Sequence, residues 1–311
     1  MGDPDASFGV AGYYVRMGND VATDIADAGS GMTVIRNQVI GKSELPTRQV
    51  LSPDALALVR FGLRAADDPR IVDTVKMIDT TLKVDLPQGP LWYRYTGDGY
   101  GEHEDGAAFD GTGQGRAWPL LAGERAHYEL CAGRIDEAEK LLKTLEASAG
   151  AEGLLPEQSW DADDIAEREL FRGRATGSAM PLVWAHAEHI KLLRSLADGA
   201  VFDMPPQTYA RYVESKTPSH LRIWRLNNAI TRAPAGKVLR LELTAPALVH
   251  WGLDDWQAAT DTRTRDSGLG THVVDLDISK VEPGRAVAFT FMWLDGERWN
   301  DATFTVQITA D

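Results

Sequence analysis

Cysteine is almost absent from this chain of 311 residues, and its single cysteine, Cys131, cannot form an internal disulfide. Cys131 falls on the apolar face of a predicted helix, which favours a small core residue. Long apolar runs are missing too: none reaches the about 18 residues that a membrane-spanning helix needs. Residues 1–6 contain neither a basic nor an apolar segment, so no signal peptide is predicted in this sequence.

Positive charge is scarce as well. The chain has 32 lysine and arginine residues against 46 acidic ones, which gives a formal net charge of -14. An acidic surface of this kind is repelled by the phosphates of nucleic acids and by anionic membranes. Neither partner is therefore expected, whereas an uncharged ligand such as a glucan is compatible with the charge.

The usual cofactor and metal motifs are also missing. Gly97-x-Gly99-x-Gly101 is not a dinucleotide fingerprint, because no strand–turn–helix unit surrounds it. His186 and His189 have neither the glutamate of the zinc motif nor a third ligand. The acidic run 102–105 lacks the spacing of a calcium loop, and we interpret it as a solvated loop. No cofactor and no metal are predicted.

Helical spacing of apolar residues dominates the first two thirds of the chain. It predicts helices at 53–66, from Asp68 onward, and at 116–132, 135–149 and 177–197. Two long loops rich in glycine and aspartate, 95–115 and 153–177, separate these helices. Loops of such length are usually functional.

After Pro205 and Pro206 the apolar spacing changes to alternation with a period of two. This pattern predicts strands at 238–243, 247–251, 272–276, 286–293 and 303–308. Several short strands separated by turn signals are typical of a small antiparallel β-sandwich.

Three blocks stand out from the pattern. They are Gly115-Arg-Ala-Trp-Pro-Leu-Leu-Ala-Gly-Glu-Arg-Ala-His-Tyr-Glu-Leu130, Gly153-Leu-Leu-Pro-Glu-Gln-Ser-Trp-Asp161 and Gly177-Ser-Ala-Met-Pro-Leu-Val-Trp-Ala-His-Ala-Glu188. The second block holds a loop carboxylate, Glu157, between a proline and an amide and three residues before Trp160. A glutamate held between rigid neighbours beside an indole suits the base of a sugar hydrolase.

Taken together, the blocks resemble the C-terminal half of the catalytic domain of glycoside hydrolase family 15, the bacterial glucoamylase and glucodextranase family. The resemblance implies an α + β multidomain chain. Residues 1–212 would be the C-terminal portion of an (α/α)6 toroid and residues 213–311 an antiparallel β-sandwich. It also implies an exo-acting, inverting hydrolase that releases glucose from non-reducing ends of α-glucans, secreted or periplasmic in its full-length members.

The resemblance assigns the catalytic base to the glutamate of the Pro-Glu-Gln motif, which is Glu157. Inversion requires such a carboxylate to take a proton from water on one face of the sugar. In the family, a serine matching Ser178 hydrogen-bonds the base and orients it. The alternatives are that Glu157 is an ordinary loop glutamate and that Ser178 is a helix N-cap.

Three further residues match family positions that hold the terminal glucose: Arg94, Trp118 and Trp184. An arginine suits sugar hydroxyls because its planar guanidinium donates several hydrogen bonds at fixed angles. The alternatives are that Arg94 pairs with Asp98 or Glu102 and that Trp184 is a core residue.

One part of the family pattern has no counterpart. The family's general acid lies in a Trp-Glu-Glu segment upstream of the three blocks, and this sequence contains no Trp-Glu-Glu. We therefore expect a fragment or one part of a two-chain assembly, in which a second chain or self-association covers the open toroid. The alternative to an enzyme is a non-catalytic carbohydrate-binding or assembly fragment. A preference for α-1,4 or α-1,6 linkages stays open.

Overall fold

The computed structural model describes residues 8–17, 29–254 and 256–310, so the segment 1–6 discussed above lies outside the described residues. The chain divides into two compact units. The described part of the first unit comprises residues 8–17 and 29–217, and that of the second comprises 218–254 and 256–310.

The first unit is mainly helical. Its α-helices are α1 (Ala57–Arg60), α2 (Pro69–Thr81), α3 (Pro119–Cys131), α4 (Ile135–Ala147), α5 (Val183–Asp198) and α6 (Pro206–Tyr209). Two antiparallel hairpins accompany them, β1 (Met32–Val34) with β2 (Glu44–Pro46) and β3 (Lys83–Leu86) with β4 (Gly89–Trp92).

Helix α3 lies in the core of this unit and contacts both α4 and α5. Leu120 and Leu121 of α3 share one apolar cluster with Leu141 and Leu145 of α4 and with Leu192 of α5. This burial is the main stabilising contribution to the helical unit, because apolar area is removed from water on all sides of α3.

Helix α2 begins as predicted, since the side chain of Asp68 accepts a hydrogen bond from the amide of Arg70 at 2.9 Å. The predicted helix 53–66 is wrong in length: a 3-10 turn, Pro53–Leu56, leads into α1, which ends at Arg60. The reason lies at Gly62, where φ is +70° and the backbone of Tyr209 occupies the space that a Cβ would need.

Helix α5 also differs from the prediction. It begins at Val183 and not at 177. The preceding residues pair with a distant segment instead: Leu182 donates its amide to the carbonyl of Leu155, and Glu157 donates to the carbonyl of Ala179. Ser178 is consequently not the N-cap of this helix, a position taken by Leu182.

The second unit consists of two sheets. Its strands are β5 (Leu221–Arg225), β6 (Arg232–Pro234), β7 (Val238–Leu243), β8 (Ala247–Leu253), β9 (Gln257–Arg263), β10 (Arg265–Asp266), β11 (His272–Asp277), β12 (Ala286–Trp293), β13 (Arg298–Trp299) and β14 (Phe304–Thr309). One sheet has the order β10-β11-β7-β5 and the other β6-β14-β12-β8-β9, with β13 added to β12. The pairings β5–β7 and β6–β14 are parallel, so the prediction of purely antiparallel pairing is wrong for these two.

A single apolar core contains residues of both sheets. The alternation in β7 buries Leu239, Leu241 and Leu243 on one face. At the centre, the ring of Trp224 meets that of Phe289 edge-on, with 5.0 Å between centroids. Among the residues that the structure describes, no helix of either unit has the length and apolarity needed to cross a membrane.

Candidate active site

The Pro-Glu-Gln segment is held by backbone pairing at the start of α3. Isolated β-bridges join Ser159 to Ala117 on one side and to Ala175 on the other, and a further bridge joins Trp118 to Trp92. Three stretches that lie far apart in the sequence therefore run side by side here. This pairing explains how a loop without regular secondary structure becomes rigid.

Glu157 is buried within this arrangement, with 8% of its surface exposed. Its Oε2 accepts a hydrogen bond from the amide of Ala179 at 3.4 Å. Burial raises the pKa of Glu157, and the negative charge of Glu102 raises it further, while the Ala179 amide and Arg94 oppose the shift. A carboxylate with a raised pKa is the stronger base and accepts a proton from water more readily.

A cavity of about 620 Å³ opens at Glu157 and has the size of a small-molecule site. Its lining includes Ser178 and, from the loop after β4, Tyr100, Glu102 and Phe109. The rings of Tyr100 and Phe109 pack edge-on with centroids 5.0 Å apart. The cavity thus combines three carboxylates, those of Glu102, Glu157 and Glu167, with aromatic surface, which is the mixture that a sugar ring with its hydroxyls requires.

Gln158, the next residue after Glu157, ties the loops together. Its Nε2 donates to the carbonyl of Tyr100 at 3.0 Å, and its Oε1 accepts from the amide of Arg116 at 3.2 Å. The side chain is buried, so both ends of the amide are satisfied inside the protein. The glutamine of the motif is therefore a fixed brace between the loops on either side of the base.

Arg116 is the second brace. It is 1% exposed, pairs with Asp161 at 2.9 Å and lies 4.0 Å from the centre of the Trp160 ring. It also donates to the carbonyls of Glu102 and His103. Arg116 holds the loop after β4 against the Pro-Glu-Gln segment.

Ser178 lines the cavity with Glu157, but the structure shows no hydrogen bond between its hydroxyl and the carboxylate of Glu157. It accepts hydrogen bonds from the amide of Gln158 at 3.1 Å and from the hydroxyl of Thr176 at 2.8 Å. Ser178 therefore contacts the Pro-Glu-Gln segment through the amide of Gln158, the residue next to Glu157.

Arg94 forms one of the two ion pairs that the sequence left open: Nε and Nη2 bind the two carboxylate oxygens of Asp98, both at 2.9 Å. Its guanidinium also lies 5.1 Å from the centre of the Trp118 ring. Trp118 is buried, and its indole nitrogen finds no hydrogen-bond partner among the described residues. Within the described part of the chain, neither side chain lines the cavity, but the charge of Arg94 acts on Glu157.

Trp184 lies in the first turn of α5 and is 56% exposed. It is not a core residue, and it is not among the described residues that line the cavity with Glu157. Its role in holding glucose, like those of Arg94 and Trp118, stays a prediction.

The structure shows that Glu102 also belongs to the candidate site, although we interpreted it from the sequence as part of a solvated loop. That interpretation is wrong for this residue: Glu102 is 7% exposed and its Oε1 accepts from the amide of Gly177 at 2.7 Å. Glu104 and Asp105 are exposed, as predicted. Burial of Glu102 depends on Arg116 and Gly177, which are distant in the sequence, so the acidic run alone does not indicate it.

The glycines before Glu102 explain how the loop is built. A Cβ at Gly99 would lie 1.9 Å from the carbonyl oxygen of Asn37, and one at Gly101 would lie 2.3 Å from that of Gln114. The backbone therefore passes other backbone at distances that no side chain permits. One signal for Glu102 was thus in the sequence: Asp98, Tyr100 and Glu102 alternate with glycine, as side chains do in an extended segment packed on one face. Among the described residues, no group of three or more histidine, cysteine, aspartate and glutamate side chains is placed to hold a metal ion.

Comparison with known proteins identifies relatives for part of the chain. No protein-family model matches the sequence. A glucoamylase from Clostridium sp. (strain G0005) is 40% identical over 202 residues, which are 65% of this chain and 26% of the relative. A cycloisomaltooligosaccharide glucanotransferase from Niallia circulans is 30% identical over 98 residues, which are 28% of this chain and 10% of that protein.

Among solved structures, a bacterial glucoamylase complexed with acarbose superposes with a TM-score of 0.56 at 42% identity. The match covers 65% of this chain and 27% of that one. This chain therefore spans only about a quarter, or less, of the length of the relatives it matches. The resemblance to glucoamylases seen in the three sequence blocks is confirmed: over 65% of its length the chain is similar to a bacterial glucoamylase.

Proposed function

We propose that this chain carries the general-base side of an exo-acting, inverting α-glucan hydrolase that releases glucose from non-reducing ends. The observation that supports this most is Glu157, a buried carboxylate with a raised pKa that lines a cavity of about 620 Å³. It stands in a chain similar to a glucoamylase that has been crystallised with acarbose. We propose that residues 1–212 belong to an (α/α)6 toroid and that residues 213–311 form a β-sandwich.

In this mechanism Glu157 takes a proton from water, whose oxygen then attacks the anomeric carbon opposite the scissile bond. The leaving oxygen receives a proton from a carboxylic acid on the other face, at roughly 6.5–9.5 Å from the base. Ser178 orients the base through the amide of Gln158. Arg94, Trp118 and Trp184 hold the terminal glucose, and the guanidinium of Arg94 lies 5.1 Å from the centre of the Trp118 ring.

We propose further that helix α5 docks against another polypeptide segment. Val183, Trp184, Ile190 and Leu193 of this helix are exposed, with 76%, 56%, 66% and 43% of their surface accessible. A large exposed apolar helix face marks an interaction site. The occupant we propose is a second chain that covers this face, because the exposed apolar side chains would otherwise remain in contact with water.

The test is glucose release from maltotriose and isomaltotriose by the purified chain, with Glu157→Gln beside it. We expect Glu157→Gln to lower kcat by about 10²–10⁴-fold, the typical contribution of a general base. The matched control is Glu152→Gln, an exposed glutamate in the same loop, which should leave the rate unchanged. The trisaccharide preferred by the active chain decides between α-1,4 and α-1,6 linkages.

A second readout separates loss of chemistry from loss of binding. Acarbose binding, followed by tryptophan fluorescence, should survive in Glu157→Gln if the fold is intact. Full glucose release by a folded Glu157→Gln protein would refute the role of the base. A folded, unmodified chain that binds acarbose but releases no glucose from either sugar would favour the alternative, a non-catalytic carbohydrate-binding or assembly fragment.

A further inference from the structure

Glu102 is held in place from both its main chain and its side chain. The guanidinium of Arg116 donates to the carbonyl oxygen of Glu102 through Nε at 3.2 Å and through Nη2 at 2.9 Å. The Oε1 atom of Glu102 accepts from the amide of Gly177 at 2.7 Å. A buried carboxylate anchored in this way has one orientation.

The segment 177–179 connects this carboxylate to the proposed base. The amide of Gly177 binds Glu102, and the amide of Ala179 binds Oε2 of Glu157 at 3.4 Å. The carbonyl of Ala179 in turn accepts from the amide of Glu157 at 2.9 Å. The carboxylates of Glu102 and Glu157 thus accept hydrogen bonds from two amides of one short segment, those of Gly177 and Ala179. A shift of Gly177 would therefore also move the amide of Ala179 that binds Glu157.

The second carboxylate oxygen of Glu102, Oε2, is not used to hold the loop, which distinguishes Glu102 from a residue whose carboxylate has only a structural role. Oε2 is buried and has no hydrogen-bond partner among the described residues. A single oxygen is enough to hold Gly177, and an unpartnered carboxylate oxygen in a buried place is costly. An amide would hold the segment equally well, so the geometry gives the negative charge a role of its own.

We propose that Glu102 is a positioning residue for Glu157: its hydrogen bond fixes the 177–179 segment that orients the base, and its charge keeps the base strong. This inference rests on the proposed role of Glu157 and deepens it. Glu102 need not touch the sugar or the attacking water. The cavity that both carboxylates line is the place where this arrangement acts.

The charged groups around Glu157 define what the charge of Glu102 does. Arg94 lowers the pKa of Glu157 and Glu102 raises it. Glu167 and Arg168, on the far loop of the cavity lining, are exposed and of opposite charge. The charge of Glu102 therefore opposes the effect of Arg94 on Glu157, and its removal is expected to lower the pKa of Glu157.

The first experiment measures the pH profile of glucose release from maltotriose. Glu102→Gln keeps an oxygen for the amide of Gly177 but removes the charge, whereas Glu102→Ala removes both. We expect the acidic limb of kcat to move to lower pH in both variants. At the plateau, Glu102→Gln should stay within about twofold of the unmodified chain, while Glu102→Ala should lose about tenfold or more, as misplaced catalytic groups do.

The control is Glu104→Gln, an exposed glutamate two residues further along the same loop. It should change neither the limb nor the plateau. If Glu102 had only a structural role, its variants would lose activity in proportion to the fraction of protein that is unfolded, and the acidic limb of the kcat profile would not move. That result would overturn the inference. Loss of activity in Glu102→Gln as complete as in Glu157→Gln would overturn it too, because Glu102 would then take part in the chemistry itself.

The second experiment does not depend on activity. Glutamate labelled with ¹³C at the carboxyl carbon reports each titration by NMR, and the Glu157 signal is identified by its absence in Glu157→Gln. We expect its midpoint to move to lower pH in Glu102→Gln and to stay in Glu104→Gln. An unmoved midpoint overturns the inference whether or not glucan is cleaved. If the titration midpoint of Glu157 moves but neither the unmodified chain nor any variant releases glucose, the positioning role of Glu102 is supported. The proposed hydrolase function is then the part that fails.

Discussion

The two units of this chain are stabilised by different kinds of buried group. Of the residues that the structure describes, every buried polar or charged one lies in the first unit. They include Arg116 and Asp161 around the Pro-Glu-Gln segment and Arg60 and Glu188 between the helices. Among the described residues, the buried side chains of the second unit are all hydrophobic, and its ion pairs lie on or near the surface.

This difference is related to the length of the loops in each unit. Burying a charge is unfavourable unless a partner compensates it, so such groups are not a cheap source of stability. The first unit retains them where they fix long loops around a cavity. The β-unit has short turns and needs no internal charges to define its shape. Part of this buried polar set, including Arg116, Asp161 and Glu102, surrounds the candidate site, and four substitutions test the contrast between the units.

The largest effect is expected at Arg116. Arg116→Met leaves Asp161 buried without its partner and frees the carbonyl of Glu102, so we expect a loss of about 3–5 kcal/mol in the free energy of unfolding. Urea unfolding with hydrogen exchange, read by mass spectrometry on peptides of each unit, measures it. Arg174→Met, an exposed arginine nearby, is the control. A loss below about 1 kcal/mol would mean that the pair does not brace the loops.

A comparable loss of purely apolar origin is expected in the second unit. Leu241→Ala removes a fully buried side chain from β7 and leaves a cavity, which should cost about 3 kcal/mol. Only exchange in peptides from 218–310 should become faster. Equal destabilisation of the helical unit would show that the two units do not unfold independently and would break the comparison.

A smaller effect that depends on pH is expected at Glu124 of α3. Burial raises the pKa of Glu124 to about 7, with Glu188 and Asp54 adding to the shift and Arg60 and Lys191 opposing it. A raised folded-state pKa stabilises the fold fully below the ordinary value of 4.5, and this stability is lost as the pH rises through about 7. Glu124→Gln is uncharged at every pH.

Urea midpoints of the two proteins should therefore agree at pH 4, below the ordinary pKa of 4.5. At pH 8 the variant should be more stable by about 2 kcal/mol, since the unmodified chain must bury a charge there. A variant that is less stable than the unmodified chain at pH 8 would show that the carboxylate of Glu124 is compensated in the fold.

The smallest effect is expected for a surface pair of the second unit. Arg240 binds both oxygens of Asp275 at 2.6 and 2.7 Å, across β7 and β11. Exposed pairs contribute little because water and salt screen them, so Arg240→Gln should cost about 0.5 kcal/mol or less. A cost near that of Arg116→Met would remove the distinction between the two units.

Much of the β-unit could be predicted, because its signal is local. Strands predicted at 238–243 and 286–293 match β7 and β12 in full, and the predicted strand ends elsewhere lie within two residues of the structure. Alternation with a period of two is a property of consecutive residues and needs no knowledge of the rest of the chain.

The candidate site was predictable only in part. Glu157 and Ser178 were found through a family motif and lie in the same cavity. The burial of Glu102 and the late start of α5 were not found. Both depend on contacts between distant segments, from Gly177 to Glu102 and from Leu182 to Leu155, which apolar spacing does not report. The residues of a loop site are set by such tertiary pairing.

At Gly99 and Gly101 the loop passes very close to the backbone of other segments, and this limits how the cavity can be altered by directed evolution. Library diversity at these positions is wasted, because any side chain collides with a carbonyl that is itself part of the main chain. Tyr100 lies between them and contributes to the cavity lining, so it can vary without touching either crossing. In the stretch 98–102 the adaptable surface is thus confined to every second residue, and new substrate preferences are open to this stretch only in that register.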